Sequence, residues 1–470
     1  AIPTIVRALD PSSTEQLWII DAYALVFAGL LLLFGALGDR YGRKRALLLG
    51  LTLFAIASLA AAWSQSPTQL ITFRALMGIG AAFVMPATLS TVTVVFPPHE
   101  RAGAIAAWAG FAGAGGAIGP LASGLLLERF WWGSVFFITV PFAVVLIVAI
   151  LLVVPNSADS EHQPIDYAGA GLSVVALVGV VFAIIEGPEV GWFAPLTLAA
   201  FSVGVIAAVG FVQWELRQDH PLLDPRLFLI RRFGLGSLTI TIAFLAMFGM
   251  FFLLTLYLQF VLGYSPLGAA VRLLPFPAIL IALAPRNPLL TARFGTRSVV
   301  AIGFTIQSAG FAAASLLTTT SPYWFVLCAV CPMAIGMALL MPPSTNAIMG
   351  SLPRDKAGVA SAVNDTTREV GGAVGIAVLG SLLATGYTDK LGTAADFLPE
   401  PLAELAQDSI GGAMIAAQSA GEEAAGLIVA SQQAYVDAVG LPFLVAAALG
   451  LAMAILIWQT YPDDEPHIAP

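Results

Sequence analysis

The chain has 470 residues, of which 59% are hydrophobic and 10% charged, with a net charge of −8. A soluble domain carries about 25% charged residues, so this composition excludes an ordinary soluble protein. It predicts an all-α polytopic membrane protein with about 20 apolar residues per crossing, and the acidic balance argues against nucleic acid as a partner.

In chain order, apolar runs bounded by charges or by Pro and Gly predict thirteen spans: 16–37, 46–64, 69–95, 102–127, 133–154, 167–186, 194–215, 233–262, 266–285, 298–317, 323–350, 357–385 and 437–460. None alternates over about ten residues as a membrane barrel strand would. Residues 1–15 read as the tail of an earlier element followed by an outer loop. Residues 16–154 are expected to form an N-terminal bundle, 155–232 two linking helices and a basic cytoplasmic loop, 233–460 a C-terminal bundle, and 461–470 a tail. The segment 386–436 is the longest outer loop, acidic yet rich in Ala. It is expected to be partly helical, and lying on the membrane, capping an outer opening and acting as a solvated spacer all remain open.

Orientation follows from Lys and Arg, which favour cytoplasmic loops. With "GDRYGRKR" inside, fourteen basic residues lie inside and three outside (Arg7, Arg129, Lys390), while Arg74, Arg272 and Arg368 lie within spans. This places Ala1 outside and predicts one further span before it, fourteen in all, with both ends cytoplasmic. Seventeen Arg against three Lys, with much Ala, Gly and Val, hint at a GC-rich bacterial genome and hence a bacterial inner membrane.

Few residues suit enzymatic or metal chemistry. Cys328 and Cys331 have C-x-x-C spacing but no nearby His or Cys to complete a zinc site, so helix packing is the simpler reading and no metal is expected. His99, His162, His220 and His467 fall in loops or the tail, which argues against a membrane-embedded enzyme. No phosphate-binding G-x-x-x-x-G-K-[ST] loop supports an ATP-driven pump.

Charges inside spans are functional candidates by default, because each costs at least about 2.5 kcal/mol to place there. The run "QLWIIDAYALVFAGLLLLF" carries Asp21, roughly 7 Å inside its outer end at 1.5 Å per residue. Arg74, in "FRALMGIGAAFVMP", lies roughly 9 Å below the same boundary and needs a carboxylate or backbone partner unless it snorkels outward. In "SAVNDTTREVGGAVG", Asp365 and Glu369 are i and i+4 on one helix face, with Arg368 beside them. Glu369 is expected nearer the midplane, and Asp365 nearer the cytoplasmic interface. Aromatic rings on the spans, among them Phe27, Trp108, Phe111, Phe248 and Tyr257, could line a cation-binding cavity. Gln259 is a plausible polar contact there.

The segment "GALGDRYGRKR" joins the first two visible spans in a very short turn, with Gly38 and Gly42 allowing tight reversal. It resembles the signature of the major facilitator superfamily between its second and third helices. The resemblance implies two six-helix bundles plus two extra helices, with the family's first helix preceding this chain. It also implies a cytoplasmic gate latch at Gly35, Asp39, Gly42, Arg43 and Arg45. Arg74, Gly78 and Gly80 resemble the family's fourth-helix motif. Gly115, Gly119, Pro120 and Gly124 resemble the antiporter motif of its exporters, with Ser123 where that motif has Gly. Tyr257 to Phe276 resembles the fourteen-span drug:proton antiporter branch, and Trp18, Asp21 and Tyr23 its second-helix run in exporters of lipophilic cations.

The expectation is therefore a proton-coupled multidrug exporter, working by alternating access, with no cofactor beyond the proton gradient. Asp21, Glu369, Asp365, Arg74 and Arg368 would serve proton and cation coupling. Lipophilic small molecules, protons and membrane lipids would be its partners, and the protein would be a monomer. The alternative is an exporter of an endogenous lipid, siderophore or secondary metabolite.

Overall fold

Backbone groups inside a bilayer must be satisfied within their own segment, so apolar runs of this length form helices. The computed structural model describes residues 2–95, 118–119, 121–155, 166–219, 221–352, 357–419 and 424–462. Its helices are α1 (Ile2–Leu9), α2 (Ser13–Tyr41), α3 (Arg43–Ala62), α4 (Pro67–Val95), α5 (Thr139–Val153), α6 (Tyr167–Val190), α7 (Pro195–Glu215) and α8 (Arg231–Leu256). They continue with α9 (Pro266–Leu273), α10 (Pro275–Leu283), α11 (Asn287–Phe294), α12 (Thr296–Ala314), α13 (Tyr323–Gly350), α14 (Ala357–Leu391), α15 (Glu400–Asp408), α16 (Ile410–Ser419) and α17 (Ala424–Thr460). Among the described residues, eleven helical stretches are long and apolar enough to cross a membrane.

The chain divides into two units, Ala1–Pro225 with Ser265–Leu267, and Arg226–Tyr264 with Gly268–Pro470. In the first, α2 packs on α4 and α6, α3 on α4 and α5, and α6 on α7. In the second, α8 packs on α13 and α14, and α12 on α13 and α17. The linking helices α6 and α7 thus belong to the first unit.

The expected span 298–317 corresponds to α12, which has 19 residues but is less apolar than the eleven. It tolerates Gln307 and Ser308 because both are buried inside its unit. A Cβ on its Gly310 would lie 2.6 Å from the Ala329 carbonyl oxygen, so α12 and α13 touch backbone to backbone there.

Three expected segments take a more specific form. The segment 386–436 is partly helical, as expected, and the connection within it is shorter than its expected bounds: α14 runs on to Leu391 and α17 begins at Ala424. The Ala-rich stretch between favours helix, and α15 and α16 form there. They are packed, with Ala406, Ile410, Ala413 and Ala416 buried. Tyr387 Oη donates to the Ala406 carbonyl (3.2 Å), and Thr388 Oγ1 to that of Gln407 (3.0 Å), which argues against a solvated spacer. The expected span 266–285 lies in one membrane-length helical stretch, Pro266–Phe294, built of α9, α10 and α11 in succession, with Pro275, Pro285 and Pro288 at its breaks, since proline removes a helix hydrogen bond. The span 233–262 ends in a π-helical turn, Tyr257–Val261, a feature common at functional positions. Of the expected span 102–127, residues 102–117 and 120 lie outside the described residues. So do all four histidines.

Candidate functional site

The first turn of α2 is set by a capping box. Ser12 Oγ accepts from the Glu15 N–H, and Glu15 Oε2 accepts from the Ser12 N–H, both at 3.1 Å. Trp18, Asp21 and Tyr23 follow within three turns. Asp21 is fully enclosed, and neither carboxylate oxygen has a hydrogen-bond partner among the described residues.

Arg74 reaches across from α4. Its Nε donates to the Ile19 carbonyl (2.8 Å) and Nη2 to that of Ile20 (3.3 Å). Its guanidinium lies over the Tyr23 ring, 4.6 Å from the centroid, and acts on Asp21 through space rather than by a hydrogen bond. Arg74 therefore partners the backbone and a ring, instead of snorkelling outward. Gly78 explains how it gets close. A Cβ on Gly78 would lie 2.6 Å from the Tyr23 carbonyl oxygen, and one on Gly80 2.8 Å from that of Gly50. Two residues apart, the glycines face nearly opposite ways on α4, one against α2 and the other against α3.

The aromatic candidates divide. Tyr23 and Phe27 stack with centroids 5.8 Å apart, and Phe27 is buried. Trp18 points instead to α6, where its Nε1 donates to Glu186 Oε1 (2.9 Å) and its ring lies 5.8 Å from Phe182. Trp108 and Phe111 lie outside the described residues.

At the other end of α2 the predicted turn is a single residue. Gly42 caps α2 and starts α3 with φ of 109°, a conformation that favours glycine. A Cβ on Gly35 would meet Pro86 at 3.3 Å, and one on Gly38 would meet Ala46 at 3.2 Å, so α2 is closely packed along this end. Lys44 Nζ donates to the Leu151 carbonyl (3.0 Å), tying the turn to the end of α5. Arg43 is half-buried and Arg45 exposed. The Asp39 side chain lies outside the described residues. In the antiporter motif Gly119 and Gly124 are helical, while Gly115 and Pro120 lie outside the described residues.

The second unit holds its own charged cluster, on α14. Arg368 Nη1 is 3.9 Å from Asp365 Oδ1. Asn364 Nδ2 donates to the same carboxylate oxygen (3.3 Å), and Thr345 Oγ1 of α13 donates to Asn364 Oδ1 (3.2 Å). Arg368 also reaches Thr345 Oγ1 (3.4 Å) and lies 5.5 Å from the Phe244 ring centroid. Glu369 is half-buried and feels the charges of both Asp365 and Arg368. Phe248 lies against Gly372, where a Cβ would stand 3.1 Å from its ring. Gly371 and Gly375 bring α14 onto the backbone of α8 at Thr241 and Leu245.

Tyr257 and Gln259 are buried, in the π turn that follows α8. The Tyr257 hydroxyl donates to the Thr318 carbonyl (2.6 Å). Gln432 of α17 caps the π turn by donating to the Phe260 carbonyl (3.0 Å). Cys328 is exposed and Cys331 half-buried, on α13.

Sequence reasoning overlooked two acids. Glu186 sits in the run "VVFAIIEGPEVGW", where two glutamates, Glu186 and Glu189, at the end of an apolar stretch were the available signal. Glu215, almost fully buried, accepts from the Leu223 N–H (3.3 Å). Beside it Asp166 caps α6 and accepts from Trp214 Nε1 (2.8 Å), joining α6 to α7.

Comparison with known proteins places this arrangement. The model of the Major Facilitator Superfamily matches residues 1–376. The chain is 33% identical to "Multidrug efflux pump LfrA" of Mycolicibacterium smegmatis, covering 97% of this chain and 91% of that protein. It is 35% identical to "Methyl viologen resistance protein SmvA" of Salmonella typhimurium, covering 89% and 85%. It is 32% identical to "Tetracenomycin C resistance and export protein" of Streptomyces glaucescens, covering 99% and 88%. Among solved structures an auto-inhibited POT family peptide transporter matches with a TM-score of 0.67 at 15% identity, over 100% of this chain and 95% of that one, a likeness of fold alone. The chain is a multi-span membrane transporter, not an enzyme, and it belongs to the Major Facilitator Superfamily.

Proposed function

We propose that this protein is a proton-coupled multidrug exporter of lipophilic cations. It would sit in the cytoplasmic membrane of a bacterium with both ends inside. It would draw on the proton gradient rather than a cofactor. The observation that carries this reading is the Asp21 carboxyl, fully enclosed, without a hydrogen-bond partner among the described residues, and next to an Arg74 committed to backbone carbonyls. Such a group has two ways to be neutralised: a proton or a bound cation. The two exclude each other, which is the requirement for exchange. Asp365, Arg368 and Glu369 supply a second acid cluster for the coupling ion. The names of the relatives support drug export, and methyl viologen, in one of those names, is an organic dication.

Export of a secondary metabolite is a second reading, favoured by the relative named for tetracenomycin C export. Both readings are tested with purified protein in proteoliposomes. An acid lumen should drive accumulation of tetraphenylphosphonium through inside-out molecules, and a proton ionophore should abolish it. Accumulation that survives collapse of the gradient would rule out proton coupling, and none at all would rule out the cation.

A further inference from the structure

Helix α6 lies antiparallel along α2 in the first unit. Gly29 of α2 meets Val174 of α6, where a Cβ would stand 3.0 Å from Val174 Cγ2. Eleven residues earlier on α2, Trp18 meets Phe182 and Glu186, eight and twelve residues later on α6. The same seam thus places an acid, an indole and a phenyl ring together at the outer end of both helices.

Glu186 costs more than its structural tie requires. An indole N–H needs one acceptor, and a neutral amide oxygen would provide it without the penalty of a carboxylate in an apolar helix. A carboxylate has about four lone-pair positions, and among the described residues the bond from Trp18 Nε1 occupies one of them. The Trp18 and Phe182 rings, inclined at 51° with centroids 5.8 Å apart, lie at the same place on the seam. An acid beside two aromatic rings can recognise an organic cation, by charge and by cation–π attraction. Trp18 and Glu186 are half-buried, whereas Asp21, three residues beyond Trp18 on α2, is fully enclosed.

The geometry points to a second cation subsite, formed by Glu186, Trp18 and Phe182, that holds a lipophilic organic cation at the outer end of the seam after it leaves Asp21. This inference rests on the proposed export of cations. It gives α6, one of the two helices linking the bundles, a share in substrate binding.

The test is equilibrium binding of tetraphenylphosphonium to the full chain in lipid nanodiscs, with melting temperature recorded without the cation. Glu186→Gln keeps an acceptor for the Trp18 indole and removes the charge. It should weaken binding about tenfold, or about 1.4 kcal/mol, with an unchanged melting temperature. Glu186→Asp should retain most of the affinity. The inference is overturned if Glu186→Gln binds as the wild type does. It is equally overturned if Glu186→Gln lowers the melting temperature and Glu186→Asp loses as much affinity, since the residue is then a structural tie. Failure of the wild type to bind would remove the cation reading itself, and this inference with it.

Discussion

Arg74 passes over the carboxylate nearest to it. Its guanidinium donates to the carbonyls of Ile19 and Ile20 and covers the Tyr23 ring, while Asp21 on the same helix keeps both oxygens clear of hydrogen bonds among the described residues. A tight salt bridge would lock the acid in its ionised form, because breaking a buried pair costs about 3–5 kcal/mol. Held off the bridge, the acid keeps a counter-charge nearby and stays available. Asp21→Asn should therefore fold and reach the membrane normally, yet lower cation export at least about tenfold in a dye-efflux assay on cells. Unimpaired export would show that Asp21 is not the exchanging group.

Arg74→Lys tests the other half of the pair. A lysine keeps the charge but not the planar fork that spans two carbonyls and stacks on a ring. Hydrogen bonds from a charged donor contribute about 1.5–3 kcal/mol. We expect a lower melting temperature for purified Arg74→Lys and impaired transport, with Arg74→Ala worse on both counts.

Gly42→Ala should destabilise the junction of α2 and α3 by about 1–2 kcal/mol, since φ of 109° strains any residue with a Cβ. Gly171→Ala is the control. Gly171 lies in α6 with open space where a Cβ would go, so alanine there should be neutral or stabilising by up to about 1 kcal/mol. Thermal melts of the two variants should move in opposite directions or differ clearly in size.

Gly375→Ala should push α14 off the Leu245 backbone, and Gly371→Ala off Thr241. Overpacking of this kind costs about 1–3 kcal/mol. It should also displace Arg368 and Glu369, which share the helix, so transport should fall together with stability. Glu369→Gln, in contrast, should lower transport while leaving the melting temperature within about a degree.

Much of this was legible in the sequence, for identifiable reasons. Charges in apolar runs are few, so Asp21, Arg74, Asp365, Arg368 and Glu369 stood out, and the rise of a helix was enough to put Asp21 and Arg74 at similar depth. Gly42 was legible because a reversal between two long helices demands a residue free of a Cβ. The partners of Arg74 were not, since every residue carries a carbonyl and nothing in the sequence marks those of Ile19 and Ile20. The meeting of Trp18 with Glu186 depends on the register between helices 168 residues apart, which local pattern does not encode. Tyr257 was read as a cavity residue by its aromatic ring, and Gln259 by its polarity. Burial and the Tyr257 bond to Thr318 show that a polar side chain inside a span can equally serve packing.

The most direct test of the account is proton release on cation binding. Purified protein in weakly buffered nanodiscs near neutral pH is mixed with tetraphenylphosphonium, and a pH-indicator dye reports the protons set free. Exchange at Asp21 predicts measurable release by the wild type and a clear reduction in Asp21→Asn. Cation binding with no proton release, or release undiminished in Asp21→Asn, would contradict the exchange of proton for cation at Asp21.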